Sequence, residues 1–142
     1  MMLRKQPQPA RQATAVAARP ANVSDSKNTL KIIPLGGIEE VGENMTVLEY
    51  GDDILVIDMG LGFPDETMPG IDYIIPNTKY LEDNKKRIKG VIITHGHLDH
   101  IGAIPYIMPK IGDPPIYTMK LTGELIKKRL EEFHILGRSQ IH

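Results

Sequence analysis

Beyond residue 29 the apolar residues fall into short runs separated by glycine, proline and charge. Residues 30–35 read as a strand ended by Gly36-Gly37, where positive φ costs nothing. The runs 45–50 and 54–58 flank Gly51-Asp52-Asp53 and predict a hairpin, with the apolar third strand buried on both faces. Gly60, Gly62, Pro64, Pro69, Gly70 and Pro76 forbid any long regular element over 60–79, which predicts a loop of the kind that lines something. A short helix over 77–89 leads into a strand at 90–94, rich in β-branched residues. Residues 101–108 predict a short apolar helix, with Pro105 in its first turn. A strand at 115–118 and a helix over about 120–133 complete the series. That helix should turn Leu121, Leu125, Ile126, Leu130 and Phe133 to the core and Lys127, Lys128, Arg129, Glu131 and Glu132 to solvent. The class is α/β, a mixed β-sheet with flanking helices.

Composition divides the chain in two. Residues 1–29 hold five Lys/Arg against Asp25 alone, contain Pro7, Pro9 and Pro20, and show no hydrophobic period. They predict a disordered basic tail, in preference to an RNA-touching arm or a targeting peptide. Residues 30–142 carry the acidic balance and are long enough for one hydrophobic core, not two. Cysteine is absent, so no disulfide framework exists, which fits a reducing, cytoplasmic setting. No apolar stretch approaches the roughly 18 residues of a membrane span.

The chemistry is concentrated in His95-Gly96-His97-Leu98-Asp99-His100, directly after the 90–94 strand. In an extended segment His95 and His97 project to one side and can share a cation. Asp99 and His100 follow the turn and suggest a second cation beside the first. Imidazole and carboxylate ligands without thiolate suit Zn²⁺ and also accept Mn²⁺ or Fe²⁺. Four potential ligands within six residues outweigh the alternative of an exposed polar loop. Asp58 closes the strand before Met59-Gly60, a similar exit. It is either an ordinary turn aspartate or a carboxylate that orients a ligating imidazole, and the residues alone leave these readings equal. His134 and His142 stand outside the cluster. Gly36-Gly37 lacks the continuation of a phosphate-cradling loop, and Lys127 to Arg129 read as a solvated face rather than an RNA contact.

Strand, His-x-His-x-Asp-His and short helix together resemble the signature of the metallo-β-lactamase superfamily, carried here by Thr94 to His100. Further blocks are similar to the ribonuclease J branch: Leu35-Gly36-Gly37, Gly42-x-Asn44, Asp58-x-Gly60-x-x-Phe63-Pro64, Gly70-Ile71-Asp72 and His100-Ile101-Gly102-Ala103-Ile104-Pro105-Tyr106. The resemblance runs from about residue 30 to residue 133 and implies the first half of an αβ/βα sandwich. It implies a metal centre with two Zn²⁺ per complete site, or Mn²⁺, held by His95 and His97 on one side and Asp99 and His100 on the other. Asp58 would stand behind the ligands, and Asp99 and His100 would take part in catalysis.

The implied reaction is hydrolysis of RNA phosphodiesters, 5′-to-3′ exonucleolytic and endonucleolytic, in RNA processing and decay. RNA is the implied partner, and a homo-oligomer, dimer or tetramer, the implied full-length assembly. The family completes its site with a histidine, a bridging aspartate and a last histidine from beyond this stretch, so these 142 residues are expected to be inactive alone. Two rival readings are a small-molecule hydrolase of the glyoxalase or lactamase kind and a non-catalytic metal-binding half-domain.

Overall fold

The computed structural model describes residues 28–142, so most of the expected basic tail lies outside the described residues. Five strands form one sheet in the order β1-β2-β3-β4-β5: Leu30–Gly36, Met45–Tyr50, Asp53–Ile57, Ile88–Ile92 and Ile116–Tyr117. The first three pair antiparallel, and β3, β4 and β5 run parallel. The sheet is therefore mixed, as the sequence pattern implied, and the parallel half directs the C-terminal ends of β3 and β4 to the same edge. Helices α1 (Lys79–Asp83), α2 (Leu98–Ile101), α3 (Ile104–Ile111) and α4 (Lys120–Glu132) fill the connections.

One face of the sheet is covered. Met45, Val47, Ile54, Val56, Val91 and Ile116 join Leu81, Ile104, Ile107, Met108, Ile111, Ile126 and Leu130 of the helices in a single buried cluster. The other face is not. Ile32, Ile92 and Tyr117 are exposed there, and Leu48, Leu55 and Ile57 are half-buried. β3 is thus fully buried on one face only, a correction to the expectation of two, because helices pack on one side of it.

Three further elements differ from expectation. The fourth strand forms two residues early, at Ile88–Ile92, and the later part of the expected 77–89 helix is a short 3-10 turn at Lys85–Arg87. The apolar helix after the histidines is two pieces, α2 and α3, with Pro105 in the first turn of α3 and Pro109 inside it. α4 is rotated: Thr122, Gly123, Ile126 and Leu130 are buried, whereas Leu121 is 76% exposed and Leu125 43%. Gly123 faces Thr118 and Ile141, and with this face inward the Leu121 and Leu125 stripe turns outward.

At the sheet end remote from the histidines, Glu49 is buried among cations and a phenol. Lys31 Nζ lies 3.1 Å and Arg87 NH2 3.3 Å from its Oε1, and the Tyr80 hydroxyl donates to Oε2. Arg87 also donates to the carbonyls of Gly51 and Asp52, tying the hairpin turn to the segment before β4. Burial pushes the Glu49 carboxyl up, but Tyr80, Lys31 and Arg87 outweigh it, and the net shift is downward.

Candidate metal centre

Three backbone segments meet at the C-terminal edge of β3 and β4. Residues after β3 pair with the histidine loop: Met59 N–H donates to His100 O at 2.8 Å and Leu61 N–H to Leu98 O at 3.0 Å. The segment before β2 joins them, with Asn44 N–H donating to Asp99 O at 3.2 Å and Gly60 N–H to Asn44 O at 3.0 Å. Gly60 is obligatory here. A β-carbon on it would overlap the Asp99 carbonyl and lie 2.7 Å from Asn44 N. Gly96 is less constrained, since its β-carbon would meet only the movable tip of the Leu125 side chain of α4, Cδ1 at 2.6 Å.

This packing brings His95, His97 and His100 together. The ring of His95 lies 4.7 Å from that of His97 and 4.0 Å from that of His100, centroid to centroid. His97 caps the N-terminus of α2, and Asp99 and His100 lie within that helix. His100 therefore returns to the side of His95 across one helical turn, although the turn had suggested that it would point elsewhere. Asp99 lies beside it, with Oδ2 3.4 Å from His100 Nε2. Among the described residues no three His, Asp or Glu side chains converge in a geometry that could hold a metal ion on their own. The donor set nonetheless suits a divalent cation: the His95 imidazole in ring contact with those of His97 and His100, a carboxylate beside His100, and another behind it.

That rear carboxylate is Asp58. It is 5% exposed and sits at φ 61°, a left-handed conformation uncommon for a non-glycine residue. Its backbone N–H still donates to Ile92 O at 2.9 Å, while its side chain turns across the exit of β4. Oδ1 accepts from Thr94 N–H at 2.8 Å, and Oδ2 accepts from Thr94 Oγ1 at 2.8 Å and from His100 Nδ1 at 2.8 Å. Because an ionised carboxylate only accepts, His100 carries its proton on Nδ1 and presents the Nε2 lone pair to the cluster. Asp58 thus accepts from an imidazole nitrogen, the contact that the orienting reading requires.

Sequence reasoning gave no role to two residues. Asn44 Nδ2 donates to Asp99 O at 3.0 Å and to Asp99 Oδ2 at 3.2 Å. Thr94 bridges Asp58 and His95, its Oγ1 lying 3.0 Å from His95 Nδ1. The only signal for either was position: Asn44 in the Gly42-x-Asn44 block, Thr94 at the strand end before the first histidine. His142 stacks on Tyr117 at 5.2 Å, and His134 follows the end of α4; neither makes a ring contact with the cluster.

Residues 38–137 match the family model described as the metallo-beta-lactamase superfamily. The chain is 44% identical over 120 residues to Ribonuclease J of Synechocystis sp., covering 82% of this chain and 19% of that protein. It is 47% identical over 108 residues to Ribonuclease J of Thermus thermophilus, covering 73% and 19% respectively. The solved structure of a long form RNase Z from yeast superposes with a TM-score of 0.55 at 16% identity, covering 84% of this chain and 18% of that one, and shows the shared fold. The chain spans about a fifth of the length of the curated relatives it matches.

Proposed function

The chain belongs to the metallo-β-lactamase superfamily, and from that premise we propose that it is the ligand-bearing portion of a metal-dependent ribonuclease. The observation that carries the proposal is the ring contact of His95 with both His97 and His100, the latter backed by Asp58, in a chain more than 40% identical to proteins named Ribonuclease J. The substrate would be RNA, cut at phosphodiesters by exonucleolytic and endonucleolytic attack in RNA processing and decay, in the cytoplasm, by a homo-oligomeric full-length protein. No helix among the described residues is long and apolar enough to cross a membrane.

His95, His97, Asp99 and His100 would hold the metal, two Zn²⁺ per complete site with Mn²⁺ as an alternative occupant. When bound, such cations supply Lewis acidity toward a phosphodiester and toward the water that attacks it. The protein's own contribution is orientation. Asp58 fixes the His100 ring through Nδ1, and Asn44 holds Oδ2 of Asp99, leaving Oδ1 to orient the attacking water. Gly60 and Leu61 lock the loop from behind.

These residues alone are proposed to bind metal weakly and to lack appreciable phosphodiesterase activity, since a catalytic zinc normally takes about three protein ligands. The absence of a converged three-ligand set among the described residues supports this. The test compares a full-length protein carrying this sequence with the 142-residue chain on single-stranded RNA, with and without chelator. Metal-dependent RNA cleavage by the full-length protein and none by the chain is expected. Hydrolysis of β-lactams or thioesters without RNA cleavage would replace this reading with the small-molecule hydrolase.

A further inference from the structure

Thr94 stands last before the histidine loop, and its hydroxyl is shared by two groups, the Asp58 carboxylate and the His95 ring. Oγ1 lies 2.8 Å from Asp58 Oδ2, 3.1 Å from Asp58 Oδ1 and 3.0 Å from His95 Nδ1. A hydroxyl has one hydrogen to donate and lone pairs to accept with. The carboxylate of Asp58 has none to give, so the Thr94 hydrogen points at Asp58. What remains toward His95 is a lone pair. With the hydroxyl hydrogen on Asp58, the 3.0 Å contact is a hydrogen bond when His95 Nδ1 carries the hydrogen, and a neutral imidazole protonated there leaves its Nε2 bare.

We infer that Thr94 is a positioning residue that relays the acceptor character of Asp58 to His95, so that one buried carboxylate fixes the tautomers of two imidazoles, directly at His100 and through the Thr94 hydroxyl at His95. Both rings then offer Nε2 lone pairs, and a metal arriving at the cluster meets ligands already in the ligating tautomer. The arrangement is held by parts that do not depend on a metal. Asp58 is buried, its Oδ1 is held by the Thr94 backbone N–H, and Thr94 is held in line by the hydrogen bond from Ile93 N–H to Tyr117 O at 2.9 Å. Serine can perform the same relay; valine, of nearly the same shape, cannot.

The inference rests on the metal reading above for its purpose but not for its geometry, and the test separates the two. Nitrogen NMR of isotope-labelled histidine in the metal-free 142-residue chain, with the imidazoles neutral, reports which ring nitrogen carries hydrogen. The expected result is protonation on Nδ1 for both His95 and His100. Thr94→Val should release His95 to a tautomer mixture while His100 stays on Nδ1, and Thr94→Ser should retain the unsubstituted pattern. Zinc affinity of the valine variant should fall about 10- to 100-fold, with serine restoring it. His95 protonated on Nε2 in the unsubstituted chain would overturn the relay without recourse to any variant, as would an unchanged His95 in a folded Thr94→Val protein. Should the tautomers come out as expected while a full-length protein carrying this sequence takes up no zinc, the relay stands and the metal reading fails.

Discussion

His100 Nδ1 donates to Asp58 Oδ2 at 2.8 Å across 42 positions of sequence, and this one contact joins the end of β3 to the helix that follows β4. Both residues come from strand ends that reach the same sheet edge because β3 and β4 are parallel. An antiparallel pairing would have placed them at opposite ends.

Asp58→Ala should therefore be costly twice. It strips acceptors from the Thr94 N–H, the Thr94 hydroxyl and His100 Nδ1, a loss of about 1–3 kcal/mol for each donor left without water or a new partner. Zinc affinity should fall about 10- to 100-fold. Asp58→Asn retains one acceptor oxygen and should lose less stability while still weakening the metal. Denaturant melts beside zinc titration calorimetry check both; equal stability losses for the two variants would refute the acceptor argument.

Gly60→Ala should destabilise the loop by about 1–3 kcal/mol or more, since backbone on both the Asp99 and the Asn44 side must move to admit a methyl group. Gly137 has open space around its missing side chain, so Gly137→Ala should stay within about 0.5 kcal/mol. Thermal melts of the pair, read against the unsubstituted chain, measure the difference.

Glu49 sets an acid limit. Its folded pKa is lowered, with burial opposing and Tyr80, Lys31 and Arg87 prevailing. A carboxyl depressed on folding contributes stability that is fully present above its unfolded pKa, about 4.3, and lost as pH falls through the folded value. Stability measured by urea titration should decline with acid in that window, and Glu49→Gln should flatten this part of the curve. An equally steep acid decline in Glu49→Gln would assign the effect to other carboxylates.

The histidine cluster was legible because His95 and His97 are two apart in an extended segment, a relation fixed by strand geometry alone. His100 was not. Its return to His95 depends on α2 starting at Leu98, with His97 as its cap, which local propensity does not announce. Asp58 was legible as a strand-end aspartate, but its role needed its left-handed backbone and the parallel neighbour that brings Thr94 and His100 within reach. Asn44 and Thr94 act through contacts with residues distant in sequence or with a neighbour's ring nitrogen, and neither leaves a periodic trace. On α4 the leucines at 121 and 125 misled because the apolar period alone admits more than one stripe: Thr122, Gly123, Ile126 and Leu130 are the ones buried.

The uncovered sheet face carries the last prediction. Ile32 is 65% exposed and Ile92 38%, and Leu48, Leu55 and Ile57 between them are not part of the buried cluster. In the register of the sheet Ile32 stands opposite Leu48, and Leu48 opposite Leu55, so these side chains form a continuous row across three strands. Tyr117 extends the surface by lying over Gly90, where a β-carbon would meet its ring at 2.8 Å. Contiguous apolar surface of this kind is seldom left to water in a monomer. The 142-residue chain should therefore self-associate in sedimentation velocity at micromolar concentration, and Ile32→Lys combined with Leu55→Lys should shift it toward monomer without loss of helical signal, because neither residue contacts the buried cluster. A monodisperse, cooperatively melting monomer of the unsubstituted chain would show that this face tolerates water as it stands.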